Sequence, residues 1–221
     1  MQYISLENPT SSNCEKKVAS ALEQGGISDY QIDIGNQKVV VVTGKHSEAV
    51  QNVVETTGKL AVLVGSGNMG AAVAMMGKEG DYFSPGPKGV VRLTQVDAGR
   101  CVIEGTVDGL TPGQHGLAIH ETGDTSNGCA SLGDHYNPRG TRHGSPVNGQ
   151  GDRHVGDLGN VVAGPDGRAK FRLVDPLVKV WDVIGRSVVV ASGADDLGLG
   201  GIGASLATGG CGEGVACGGD C

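Results

Sequence analysis

Aromatic residues are scarce in this chain: one Trp, two Phe and four Tyr, 3 % of 221 residues. Positive charge is short as well, with 17 Lys and Arg against 24 Asp and Glu and a net charge of −7. Nucleic acids and anionic membrane surfaces bind basic patches, so neither is an expected partner. No apolar run approaches the ~18 residues of a membrane span. The opening MQYISLENPT has no basic n-region and no apolar core, so it does not read as a signal peptide. Together these absences predict a soluble, cytoplasmic protein.

Glycine is what the chain has in excess, at 40 of 221 residues. Without a collagen period, that composition points to tight turns and long loops, as in all-β proteins. The six cysteines stand at 14, 101, 129, 211, 217 and 221. In a reducing cytosol they are free thiols, metal ligands or one special disulfide, not a disulfide framework. Cys101 falls in an alternating strand pattern and reads as a buried small hydrophobe. The other five lie in turns or beside glycines, where they could react or bind.

Residues 1–66 read as a small α+β domain. QYISL is a strand, and Ser11 or Ser12 caps CEKKVASALEQG, where Cys14, Val18, Ala21 and Leu22 keep helical spacing before Gly25 and Gly26. YQIDIG, a turn at Asn36–Gln37 and KVVVVTG form a hairpin. HSEAVQNVVETTG is a second helix with Ala49, Val50, Val53 and Val54 on one face, and LAVLVG closes the domain as a strand. The order βαββαβ is the ferredoxin-like split pattern. Gly65-Ser66-Gly67-Asn68-Met69-Gly70 formally matches a dinucleotide fingerprint. The short AAVAMM and turn-rich GKEGDYFSPGPKG that follow offer no helix and further parallel strand, so this segment reads as a flexible boundary.

Residues 67–221 read as all-β. VVRLTQVD, CVIEGTVDG, HGLAIHE, AKFRLVD and RSVVVAS alternate, with turn signals between them, as in an antiparallel barrel or sandwich. The stretch from His135 to Asp157 is different. It has three histidines, His135, His143 and His154, one carboxylate, Asp157, and almost nothing apolar to bury. Four of the six histidines in the chain lie between His120 and His154. Imidazoles and a carboxylate are the ligand set of tetrahedral zinc, and the ion would supply the folding energy the loop lacks. The alternative is a solvated loop that is merely rich in histidine.

HGLAIHE, GDTSNGC, LGDHYNP, RHVGDLGNV, DGRAKF, ADDLGLGG and ACG follow one another as in the Cu,Zn superoxide dismutase family. KVWDVIGRSVVV and the preceding small domain resemble the copper chaperones of that family. The resemblance implies a Greek-key barrel of the dismutase type. It implies zinc ligands at His135, His143, His154 and Asp157, a Cys129–Cys217 disulfide stapling the metal loop, and Asp195 as a carboxylate orienting a metal-bound imidazole. His115 matches a structural histidine that binds no metal.

Of the enzyme's four copper imidazoles, only the matches at His120 and the shared His135 remain. Ala118 and Ala191 fill the other two positions, and a methyl group cannot donate to a metal. Glu213 lies where the enzyme guides its anionic substrate with arginine. No catalytic residue is therefore assigned and dismutase activity is not expected. The small copper-carrying domains hold Cu(I) with Met-x-Cys-x-x-Cys. Here Pro9, Ser11 and Cys14 take those positions, so Cys14 is either a weak Cu(I) ligand or part of a relic scaffold.

The chaperones continue past ACG with a last barrel strand and a Cys-x-Cys tail. This chain has Cys217-x-x-x-Cys221 with Cys211 nearby, so an unpaired barrel edge is expected. Cys14, Cys211 and Cys221 are the candidates for Cu(I) binding or thiol exchange, the last two being inert thiols otherwise. The implied function is a copper chaperone that docks on Cu,Zn superoxide dismutase as a heterodimer, delivers Cu(I) and promotes disulfide formation. The alternatives are a zinc-bound, noncatalytic homologue, with a homodimer as the other pairing, and, more remotely, an active dismutase.

Overall fold

Gln2, Ile4 and Leu6 alternate inward along β1 (Gln2–Leu6), and the same period buries Val39 and Val41 on β3 (Lys38–Val41). In the computed structural model, which describes residues 1–6, 12–67, 69–147, 152–201 and 203–219, these strands pair antiparallel with Ile4 opposite Val39. With β2 (Tyr30–Asp33) and β4 (Ala61–Ser66) they form a four-stranded sheet of order β2-β3-β1-β4. Two helices complete the ferredoxin-like βαββαβ unit, α1 (Ser12–Gln24) and α2 (Ser47–Glu55). Cys14, Val18 and Leu22 are the buried stripe of α1, and Val50 and Val54 that of α2. Ala49 is exposed, because Ser47, Val50, Gln51 and Val54 make up the buried residues of α2. Fully burying each large aliphatic side chain contributes about 1.5–3 kcal/mol, which holds short helices that would be marginal alone.

Contacts within the chain separate two units, residues 1–71 with 94–97 and residues 72–93 with 98–221. The second is an antiparallel barrel. Its strands are β5 (Ala71–Met76), β6 (Lys88–Asp97), β7 (Arg100–Asp108), β8 (Gly113–His120), β10 (Asp157–Ala163), β11 (Ala169–Asp175), β12 (Ser187–Ala191) and β13 (Gly214–Gly219). The short β9 (Ser126–Cys129) and the helices α3 (Val180–Val183) and α4 (Gly203–Thr208) lie in the connections. The sheet order is β13-β12-β8-β10-β11-β7-β6-β5. Leu93, Ile103, Leu117, Ile119, Val161, Val188 and Val190 fill the core together with Cys101, which is fully buried.

Two expectations change here. AAVAMM, to which the sequence reading gives no element of its own, is strand β5, with Ala72, Ala74 and Met76 buried. Burial alternates strictly along it, as the period of two in a strand requires. The expected open edge is also nearly closed. GVACGG itself is the strand β13, and Gly77 and Cys217 exchange two backbone hydrogen bonds of 2.9 Å beyond the end of β5. Gly218 allows this approach, because a Cβ there would collide with the Met75 carbonyl.

Candidate metal centre

The end of β8 organises the site. Backbone hydrogen bonds run from Tyr136 to the Ile119 carbonyl (2.8 Å), from Ile119 to that of Gly156 (2.8 Å) and from Gly156 to that of Tyr136 (2.9 Å). This knot seats His135 and Asp157 on either side of Ile119–His120. It requires glycine at 156, where a Cβ would lie 2.9 Å from the Tyr136 nitrogen and closer still to the Ile119 carbonyl. The His143 backbone N–H is held by the Leu206 carbonyl of α4 at 3.1 Å. The Thr141 hydroxyl, donating to the Arg153 carbonyl at 2.7 Å, links the two arms of the loop.

His135, His143, His154 and Asp157 come together as one buried cluster that could hold a metal ion, with one ligand atom from each all within 4.8 Å of one another. The Nδ1 atoms of His135, His143 and His154 lie 2.8, 3.0 and 3.1 Å from a single atom, Oδ1 of Asp157. The other carboxylate oxygen accepts the backbone N–H groups of His154 (2.8 Å) and Gly144 (3.1 Å), fixing its orientation. Nδ1 of His143 and Nδ1 of His154 are buried without a hydrogen-bond partner, which is costly for polar atoms unless a cation uses their lone pairs. Tetrahedral ligands about 2.0 Å from zinc would be about 3.3 Å apart, close to the observed spacings. The residues fit a four-coordinate ion held entirely by protein.

Asp195 stands behind the cluster, its Oδ1 2.7 Å from Nε2 of His143, an arrangement that fixes a ligating imidazole. Asn160 clamps Asp195 with two 2.8 Å bonds to its backbone. Gly209, at φ +71°, passes so close that a Cβ would strike the Asp195 carboxylate and lie 2.6 Å from Nε2 of His143. Burial works to raise the Asp157 carboxyl, but the imidazoles of His135, His143 and His154 crowded against it outweigh that and hold the group far below the usual carboxylate range. Burial likewise works to lower His143, yet the carboxylates of Asp157 and Asp195 on either side of its ring carry it up to about 9. The two carboxylates thus favour a positive charge among the imidazoles, whether a proton or a metal ion.

A buried ion pair beneath the loop is absent from the sequence reading. Arg153 is 1 % exposed and pairs with Asp175 through Nη2. Its Nη1 donates to the carbonyls of His154 (3.1 Å), Val155 (3.3 Å) and Asp157 (2.8 Å). Asp175 in turn accepts the N–H groups of Leu177 and Val178. Arg153 is the anchor by which the barrel holds the backbone of two ligands.

The remaining candidates are scattered. Cys129 and Cys217 are joined by a disulfide spanning 88 residues. His120 donates from Nδ1 to the Gly133 carbonyl at 2.8 Å, and burial first, then His135, push it down to about 4, leaving a neutral ring near neutral pH. Ala118 and Ala191, each 5 % exposed, line a cavity with His120 and His135 and offer no donor. His115 turns both ring nitrogens to backbone carbonyls, of Ala191 (2.7 Å) and Thr111 (2.8 Å). Cys14 is only 6 % exposed, in the apolar stripe of α1. Cys211 is a buried free thiol, raised by burial and by the charge of Asp195. Ser11 and Cys221 lie outside the described residues.

A family model described as Copper/zinc superoxide dismutase (SODC) matches residues 87–219. Over 215 residues, covering 95 % of this chain and 76 % of the relative, the sequence is 49 % identical to the copper chaperone for superoxide dismutase of Sus scrofa. The chain belongs to the copper chaperone for superoxide dismutase family. The Homo sapiens chaperone of that name is 48 % identical over the same shares of both chains. The Cu-Zn superoxide dismutase A of Xenopus laevis is 47 % identical over 150 residues, 66 % of this chain and 94 % of that one. Among solved structures, the crystal structure of the clock protein EA4 is similar at a TM-score of 0.63 and 37 % identity, covering 70 % of this chain and 95 % of the other. Within the chaperone family, this chain joins an intact His-Asp cluster to a neighbouring cavity with alanine at two of its walls.

Proposed function

We propose that this chain is a copper chaperone for Cu,Zn superoxide dismutase and is not itself a dismutase. Zinc on His135, His143, His154 and Asp157 would supply folding energy, with no open coordination position for catalysis. The barrel so held, stapled by Cys129–Cys217, docks on the enzyme as a heterodimer. Cu(I), a soft ion held by thiols, is the cargo it delivers. Promotion of the target's disulfide belongs to the same proposal, with molecular oxygen as the two-electron acceptor and Cys211 or Cys221 as the thiol that mediates the exchange. The observation that carries this reading is the asymmetry of the centre. The cluster keeps all four ligands, whereas Ala118 and Ala191 remove half of the imidazoles a redox copper would need. Among the described residues no helix is long and apolar enough to cross a membrane, and the proposed setting is the cytoplasm.

One observation favours the noncatalytic, copper-free alternative: Cys14 faces the core of its unit instead of solvent. Metal analysis of the reduced chain after exposure to zinc and Cu(I), with a dismutase assay alongside, separates the readings. One zinc, retained Cu(I) and no dismutase turnover supports the chaperone. Zinc without copper leaves a structural partner of the enzyme, and sedimentation then decides whether it pairs with itself as a homodimer. Turnover with added copper makes it an enzyme.

A further inference from the structure

Residues 77–87, GKEGDYFSPGP, connect β5 to β6 and bring a Ser-Pro pair, Ser84-Pro85, to the surface beside two aromatic side chains. Phe83 is 86 % exposed, Pro85 and Gly86 are exposed, and Ser84 is half-buried. One carboxylate shapes the turn. Oδ1 of Asp81 accepts the Phe83 N–H at 2.9 Å, and Oδ2 accepts the Ser84 hydroxyl at 2.9 Å. The Asp81 N–H donates to the Lys78 carbonyl at 3.0 Å, closing the hairpin beneath. Tyr82 and Phe83 meet edge to face, with ring centroids 5.6 Å apart. The Lys78 side chain crosses Gly86, where a Cβ would lie 3.0 Å from its Cδ, so this basic side chain runs beside the Ser-Pro pair. Two other hydroxyls precede proline in the sequence, Thr111 and Ser145. Ser145 is 6 % exposed within the metal loop, and Nε2 of His115 engages Thr111 through its carbonyl (2.8 Å) and its hydroxyl (3.4 Å). Of the three, Ser84 lies on the exposed hairpin.

We infer that Ser84 is a phosphorylation site for proline-directed serine/threonine kinases, and that the phosphate rebuilds the Tyr82–Phe83 turn. Proline has no amide hydrogen, so Ser-Pro suits a kinase groove that asks for none after the acceptor, and it biases Ser84 toward the extended backbone such a groove reads. In the reaction the Ser84 oxygen attacks the γ-phosphorus of Mg-ATP, the bond to ADP breaks, and the hydroxyl proton passes to the kinase's catalytic carboxylate. The product carries about −1.5 to −2 charge at Ser84 near neutral pH and has no hydroxyl proton left for Asp81. Phosphate and carboxylate repel at that distance, so the Asp81 contact opens, and the Lys78 side chain beside Gly86 offers the replacement partner. The hairpin is one wall of an open groove lined also by Met75, Asp124 and Arg186, so the new charge changes an accessible surface of the barrel. The inference stands apart from the chaperone reading, because it uses none of the metal or thiol groups.

The test treats the full zinc-loaded chain with an active mitogen-activated protein kinase or cyclin-dependent kinase and Mg-ATP labelled in its γ-phosphate. Incorporation should reach about one phosphate per chain, placed on Ser84 by fragmentation mass spectrometry. Ser84→Ala and Pro85→Ala should each cut incorporation by about tenfold or more, whereas Thr111→Ala should leave it unchanged. In the phosphorylated chain the Phe83 amide should exchange with deuterium about tenfold faster as its bond to Asp81 opens. Mapping is done on the unaltered chain, so the assignment does not depend on how a variant folds. No incorporation into the zinc-loaded chain, phosphate on Thr111 or another residue in place of Ser84, or incorporation that survives Ser84→Ala would overturn the site. Unchanged exchange at Phe83 after phosphorylation would overturn the rebuilt turn.

Discussion

Asp175→Ala should strand a guanidinium inside the protein. Arg153 is 1 % exposed, and the side chain of Asp175 is 5 % exposed, so water cannot take over the lost charge. Breaking one partner of such a pair costs about 3–5 kcal/mol. At 2–4 °C per kcal/mol for a unit of this size, the barrel transition should fall by about 6–20 °C in calorimetry. The ferredoxin-like unit should melt as before. The same arginine holds the carbonyls of His154, Val155 and Asp157, so metal affinity should fall by about tenfold as the loop loosens. Replacing both partners, Arg153→Met with Asp175→Leu, should restore part of the stability, because no charge is left buried. A single-variant shift below about 2 °C, or equal metal affinity, would refute the idea that Arg153 is the anchor of the loop.

Gly209→Ala puts a methyl into the His143–Asp195 contact at a left-handed φ of +71°, and metal competition should show affinity lowered by about 10–100-fold. Reducing Cys129–Cys217 releases an 88-residue separation and should lower barrel stability in denaturant by about 3–5 kcal/mol. Chelation should lower the barrel transition much more than that of the N-terminal unit; equal melting with and without chelator would mean that no ion supports the loop. In the metal-stripped chain, His143 is raised from 6.5 to about 9, so its stabilisation is complete below pH 6.5 and is lost as pH rises through 9. Melting of that form should therefore fall between pH 7 and pH 10, about the alkaline limb, while the depressed Asp157 carboxyl contributes above 3.8 and is lost only in strong acid.

Much of this architecture can be read from the chain itself. Val18 and Leu22, the alternation of HGLAIHE and the His135–Asp157 spacing each carry a local signal, and each predicts the element that forms. AAVAMM does not, because six consecutive apolar residues between glycine-rich turns show no period, and only pairing decides. Cys14 shows a conflict already present in the sequence: its 14/18/22 spacing assigns it to a helix stripe, yet its position also invites a metal role. Burial follows the spacing. Arg153 and Asp175 are 22 residues apart, and Cys211 is 91 from His120, so no periodicity announces either meeting. The cavity between His120 and Cys211 exists only once β8 and the segment after α4 are folded together.

Transfer is the most direct test of the central claim. The zinc-loaded chain, given one equivalent of Cu(I), is mixed with zinc-loaded, copper-free, disulfide-reduced Cu,Zn superoxide dismutase in the presence of a Cu(I) chelator, and dismutase activity is followed. The account predicts that activity appears in the enzyme and copper leaves the chain, while the chain alone stays inactive. Activity no greater than with chelated copper alone, or turnover by the isolated chain, would contradict it.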